Sequence, residues 1–337
     1  MTPAPALTLS VLDTAPVWQG NTPADALRDT VRFARLVEQL GYHRFWVAEH
    51  HNTASIASTC PPVLVAELAN ATATLRIGSG GVMLPNHPPL VIAEQFATLE
   101  AFHPGRIDLG IGRAPGTDPR TAHALRRAAY DLPAEQFAGQ VTELLDLFAR
   151  PGGDDTINAI PAAGNRPTIW LLGTSPSSGE LAGRLGLPYA YAHHINPANA
   201  ESALHAYRCS FIPSPSTPRP HVLVSTLVIL ADTKTRADRL AWPIRAMITR
   251  MRNGLPDGPH TPADIAAAAR YTPEDEQQID QHLSERIIGD PHVARDRITA
   301  LIDRLHPDEL MAITLIQDVP ARARCYELLT TIVEDIT

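Results

Sequence analysis

Phe45-Trp46-Val47-Ala48-Glu49-His50-His51-Asn52 is the stretch on which the fold turns. Four mostly apolar residues run straight into a carboxylate and two imidazoles. A buried strand that ends in ionisable side chains delivers chemistry to the rim of a sheet. Whether this chain is built that way depends on what surrounds the stretch.

Working outward, the same unit recurs. Strands are predicted at Leu7–Leu12, Phe45–Ala48, Leu75–Leu84, Arg106–Ile111, Thr168–Leu172, Leu187–Ala192, His221–Leu230 and Glu309–Ile316. Between them lie helical patterns at Leu27–Leu40, Pro61–Ala73, Leu90–Phe102, Ala134–Phe148, Ser178–Leu185, Ala198–Phe211 and Pro291–Leu305, with a last helix at Ala321–Ile336. The first helix announces itself at Thr22-Pro23-Ala24-Asp25. Thr22 suits the cap, Pro23 the first helical position and Asp25 the positive end of the dipole, and Gly41 stops the run. Strands alternating with helices pair in parallel, because each crossover returns the chain to the same end of the sheet. Eight such units predict an α/β fold, a (β/α)8 TIM barrel with insertion segments; a doubly wound open sheet is the alternative. The expected domain is a single barrel over 1–337, with excursions near 150–167 and 233–288.

Composition narrows the partners. The chain has 337 residues, 44% of them apolar, and a formal charge of −8, which argues against nucleic acid or an anionic membrane surface. Three scattered cysteines, Cys60, Cys209 and Cys325, fit a reducing compartment and contain no CxxC motif. The N-terminus MTPAPALTLSVL lacks the basic start of a signal peptide. The longest apolar segment, Val222–Ala231, falls well short of the roughly 20 residues of a membrane helix. The expectation is a cytoplasmic globular protein.

A barrel requires its chemistry at the C-terminal strand ends. Glu49, His50 and His51 follow the second strand, and Gly78-Ser79-Gly80-Gly81 lies in the third. Gly110 to Gly116, with Arg113, follows the fourth, and Gly173-Thr174-Ser175-Pro176-Ser177-Ser178 the fifth. No metal is expected: HExxH is absent, and three adjacent strand residues cannot all face one ion. An acid–base role for His50 is the better reading, with Glu49 as its orienting partner; His51 is left unassigned. Glycines inside a strand mark a bulge, a tight corner or the close approach of a ligand such as a flat ring. The start of the helix after Thr174-Ser175 can hold one phosphate, with Arg113 as a charged contact, or serve only as a cap. One phosphate and one flat ring suggest a mononucleotide such as FMN. His193-His194, after the sixth strand, are either pocket-lining or ordinary rim residues.

These residues resemble a known family. LSVLDTAP, GYHRFWVAEHHN, LRIGSGGVMLPNHPPLVIAEQFATLEAFHPGRIDLGIGRAPGTDP and WLLGTSPSSGELAGRLGLPYAYA are similar to the bacterial-luciferase-like flavin monooxygenases, and within them to the MsnO8-type group. The resemblance implies the barrel, reduced FMN supplied by a separate flavin reductase, O2, a small organic substrate and a homodimer. It implies catalytic His50, assigned together with Glu49. It also implies a non-proline cis peptide at Gly80-Gly81 against the flavin, and phosphate contacts from Arg113, Thr174, Ser175 and Ser178. Luciferase has a glutamate at the position of Thr174 and a reactive cysteine at that of Gly112, so no luminescence is expected. The rival expectations are an F420-dependent hydride-transfer oxidoreductase and a non-catalytic flavin-binding protein.

Overall fold

In the computed structural model, which describes residues 7–125, 133–149 and 157–336, the parallel barrel closes. Its strands are β1 (Thr8–Asp13), β2 (Arg44–Val47), β3 (Arg76–Met83), β4 (Ile107–Gly112), β5 (Thr168–Gly173), β6 (Tyr189–Ala192), β7 (Val222–Leu230) and β9 (Glu309–Ile313). Each pairs in parallel with its neighbour. The ring shuts through β6 on β7, β7 on β9, and β9 on β1 with Thr8 opposite Glu309. An open sheet is thereby overturned.

Nine strands, not eight, are present among the described residues. The extra one, β8 (Ile287–Gly289), pairs with the upper part of β7 outside the ring. The predicted boundaries hold to within a residue or two, with three larger differences. β6 starts at Tyr189 rather than Leu187, because Pro188 has no N–H to give a ladder. The last barrel strand ends at Ile313, and Thr314 to Ile316 belong to the rim. A short helix at Pro119–Ala124, capped by Asp118, was not foreseen.

The first helix, Pro23–Gln39, carries the expected cap, and Thr22 and Asp25 bond reciprocally in a capping box. Of the excursions, residues 150–156 lie outside the described residues. The second is the larger: helices Lys234–Leu240, Trp242–Arg252, Ala263–Ala267 and Pro273–Leu283 lead to β8. Among the described residues no helix is long and apolar enough to cross a membrane.

Side-chain alternation divides the core in two. Phe45 and Val47 of β2 point outward into the large layer between strands and helices. Trp46 points inward, joining Leu12, Trp170, Ala190, Leu223 and Met311 inside the barrel. Beneath that plug, at the N-terminal strand ends, lies a buried ionic floor. Arg44 reaches Glu309 with Nε at 2.6 Å and Asp108 with a terminal nitrogen at 2.5 Å. Trp46 Nε1 donates to Asp108 at 3.0 Å, and Arg76 bonds the other Asp108 oxygen at 2.6 Å. The Arg44 guanidinium also lies 4.8 Å from the Trp170 ring centroid. Burial favours the neutral acid at Glu309, but Arg44, His221 and Ser10 outweigh it and hold the carboxyl at about 2.

Candidate active site

Trp46 of β2 points into the barrel, and past the strand end the chain runs on through Glu49, His50 and His51. Among the described residues no hydrogen bond joins Glu49 to His50, although the Glu49 charge acts on that ring. Glu49 instead forms a buried hub. Its Oε1 accepts from His51 Nε2 and His87 Nε2, each at 2.9 Å, and from the Asn86 side-chain amide at 3.2 Å. Its Oε2 accepts the Met83 backbone N–H at 3.1 Å. Asn86 also donates to Pro115 O, and the His51 N–H to Gly116 O. Gly116 has φ +65°, and a Cβ there would lie 2.6 Å from Glu49 O, so only glycine fits.

One carboxylate thus ties together the loops after β2, β3 and β4. Glu49, His51 and His87 place three ligand-type atoms within 4.8 Å of one another. Adjacency in sequence concealed that, since His87 arrives from a different strand. Both imidazoles donate from Nε2, so the arrangement is a carboxylate satisfied by N–H donors.

Burial works against ionisation of Glu49, but the bonds from His51 and His87 and the Met83 N–H prevail and lower it to about 2. A carboxyl depressed on folding adds stability above its unfolded value of 4.5 and loses it as pH falls toward about 2. For this fully buried group the contribution is about 3 kcal/mol. Glu49→Gln should therefore unfold at lower denaturant than wild type at pH 7, and the gap should close as pH drops through that window. Parallel denaturation curves at both ends of the window check this; a pH-independent gap would refute the hub.

His50 is held by its backbone, donating to Ser58 O at 3.0 Å. Its Nδ1 is buried and has no hydrogen-bond partner among the described residues. Burial lowers its pKa, Glu49 and Asp257 push back upward and His51 lowers it further; the net is downward, so the ring is neutral at pH 7. Asp257 comes from the second excursion and accepts from Ser55 N and Ser55 Oγ at 2.9 and 2.8 Å. Beside it, the His260 N–H donates to Val17 O at 2.7 Å, and the His260 ring packs on Trp18 at 5.5 Å. The Gly254–Pro259 break in the helical pattern is thereby latched over the loops next to His50. Asp257 was not foreseen, because it reaches the site from a distant part of the chain; Asn86 and His87 are recognisable in sequence as residues at the C-terminal end of the third strand, but their bonds to Glu49 are not.

The Gly80–Gly81 peptide is cis, where the resemblance placed it. The register with β4 shifts between Gly80 and Val82. A Cβ on Gly80 would lie 2.9 Å from Leu12 Cδ1, and one on Gly81 2.8 Å from Gly110 O. The glycines thus let β3 approach the plug and β4 closely.

At β5, Ser175 caps the helix Pro176–Arg184 in a capping box with Ser178, whose Oγ also meets Tyr189 OH at 2.8 Å. The helix begins two residues before the expected Ser178, with Pro176 at its first position. Thr174 and Ser175 are half-buried beside it, and Arg113 is exposed just beyond β4. Glu49, His50, Arg113, Thr174, Ser175 and Ser178 follow the C-terminal ends of their strands, whereas Gly80 and Gly81 lie within β3, shortly before its end. His193 is buried, whereas His194 is half-exposed on the C-terminal rim.

Comparison with known proteins agrees with this geometry. The family model for luciferase-like monooxygenases matches residues 7–306. A luciferase-like monooxygenase of Escherichia coli (strain K12) is 40% identical, the match covering 98% of each chain. An N-acetyl-S-alkylcysteine monooxygenase of Bacillus subtilis (strain 168) is 40% identical over 68% of this chain and 70% of that one. The crystal structure of apo-MsnO8 superposes with a TM-score of 0.88 at 37% identity, covering 97% of this chain and 98% of that one. More distant barrels share the fold alone: a diketocamphane monooxygenase constituent in complex with FMN, at 18% identity, and an alcohol dehydrogenase with an F420–acetone adduct, at 14%.

Proposed function

Since the chain belongs to the luciferase-like monooxygenase family, we propose that it is an FMN-dependent monooxygenase of a small organic substrate, the oxygenase half of a two-component system. The observation that carries this reading is the buried Nδ1 of a neutral His50, without a hydrogen-bond partner among the described residues, on the same rim as the glycine-bearing strand β3. A buried polar nitrogen without a partner costs stability unless a ligand completes it. The residues fit a flavin: Gly80 and Gly81 against the ring, and Arg113, Thr174, Ser175 and Ser178 around the phosphate, near the N-terminus of the helix Pro176–Arg184.

Reduced FMN, delivered by a separate reductase, would supply the electrons that activate O2. The chain's own tasks are narrower. His50, uncharged at pH 7, can take a proton and return it within the mouth. The latch through Asp257 and His260 keeps bulk water from that imidazole. Glu49 acts at one remove, holding the three loops that shape the mouth, so it is a positioning residue. Exposed Val63 and Val91, on the helices Pro61–Ala71 and Pro89–Phe102, support a homodimer through these early helices.

The test is a titration of the protein with FMN, FMNH2 and F420, followed by absorbance and oxygen uptake. N-acetyl-S-methylcysteine is the first probe substrate, by analogy with the Bacillus subtilis relative. Tight FMNH2 binding and one oxygenated product per O2 consumed are expected. Binding of F420 in preference to flavin would transfer the assignment to hydride transfer, and O2 uptake with no product from any substrate would make this a flavin-binding protein.

A further inference from the structure

His194 plays no part in the reading above. Around the ring, β2 and β6 are separated by three strands on either side, so the residues that follow them face each other across the mouth. His50 follows β2 and His194 follows β6, and His50 is among the groups that lower the His194 imidazole.

The surroundings of His194 favour one tautomer. Its Nδ1 lies 2.9 Å from Ser225 Oγ. The Ser225 hydroxyl donates to Tyr191 O at 3.3 Å, which commits its hydrogen and leaves lone pairs toward the imidazole. With the hydroxyl hydrogen directed to Tyr191 O, Ser225 Oγ accepts from a hydrogen on Nδ1, and the lone pair falls on Nε2. Nε2 takes no partner among the described residues and is not sealed away. The backbone is fixed as firmly: the His194 N–H donates to Ser225 O at 2.9 Å, and Arg286 donates to His193 O and His194 O at 2.9 and 2.6 Å. Arg286 is itself buried, at the entrance to β8.

We propose that His194 is the substrate-orienting acceptor of the mouth, its Nε2 receiving a hydrogen bond from an N–H or O–H group of the substrate. Ser225 and Arg286 act as positioning residues. This rests on the reading of the rim as a monooxygenase site and adds to it a substrate class: molecules that carry a hydrogen-bond donor at a distance from the atom to be oxygenated. The donor is held at one wall while that atom is left on the His50 side. Neutrality suits an acceptor. Burial lowers the ring to about 4; a hydrogen bond with the Ser225 backbone opposes this, while Arg286, His193 and His50 reinforce it. The other charges at this wall, Arg304 and Glu285, pair with each other at 2.9 Å.

Two measurements test the assignment. The first is the nitrogen-15 side-chain spectrum of histidine-labelled protein at pH 7, with the His194 signals identified from their loss in His194→Phe. A neutral, Nδ1-protonated ring is expected in wild type, and tautomer mixing in Ser225→Ala. An Nε2-protonated or doubly protonated ring in wild type would overturn the proposal. The second compares N-acetyl-S-methylcysteine, which has an amide N–H, with ethyl methyl sulfide, which has no donor. In His194→Phe the KM for the amide probe should rise about tenfold, the worth of one neutral hydrogen bond, with kcat held. The donor-free sulfide should respond equally to both proteins. A fall in kcat with KM unchanged, or no change at all, would overturn the assignment. If wild type oxygenates neither thioether, the substrate analogy fails, and the tautomer spectrum still decides the role of His194.

Discussion

Replacing His50 by alanine should cut oxygenation by about 10²–10⁴-fold, the usual contribution of a positioned acid–base group, while flavin affinity stays as in wild type. The separation follows from the geometry. His50 lies beyond β2 with a buried Nδ1 that has no hydrogen-bond partner among the described residues, whereas the expected phosphate contacts lie beyond β4 and β5. Neither is braced by the other, so removing the imidazole leaves the anchor intact. The ring's pKa lies below the ordinary 6.5, so the acid limb of the wild-type pH–rate profile should fall below that value and be missing from the variant. Single-turnover product formation with preloaded FMNH2, across pH, measures both effects. Full activity in His50→Ala would remove this residue from the chemistry and shift attention to His194.

The second large effect concerns the barrel floor. Arg44→Met should destabilise the protein by about 3–5 kcal/mol, because the substitution leaves buried carboxylates without their cation. Asp108 keeps Arg76 and the Trp46 indole N–H, and Glu309 keeps Ser10, so neither is wholly abandoned. The guanidinium nonetheless bridges both and lies over the Trp170 ring. Arg44→Lys retains the charge but lacks the planar fork, and should fall between the two. Denaturant midpoints for the three proteins give the answer. A loss below about 1 kcal/mol, the scale of an exposed pair, would mean that water or rearranged neighbours replace Arg44.

Much of this architecture is legible in the sequence, for a physical reason. Most barrel strands are compact apolar runs, and Thr22 to Asp25 and Ser175 to Ser178 form the capping boxes that their spacing allows. β8 escapes because Ile287–Gly289 is too short to show a period. The Glu49 hub escapes because most of its partners are distant in sequence. The floor was equally within reach: Arg44, Asp108 and Glu309 are charged residues at or next to the starts of strands whose remaining residues are almost all apolar. These residues lie on alternate strands of the ring, and their side chains meet inside the barrel.

The ninth strand carries one more consequence. The chain leaves the ring at Leu230 and returns through Gly289 directly beside it, the Ala231 N–H bonding Gly289 O at 3.2 Å. Exit and re-entry are neighbours, so everything between them is a cassette closed at its base. Lengthening such a closed segment costs only about 0.6 kcal/mol per doubling. The barrel can therefore accept cassettes of different size and shape with its register undisturbed. This cassette brings Asp257 to one side of the mouth and Arg286 to the other, so exchanging it would re-cut the mouth while leaving the rim glycines and His50 in place.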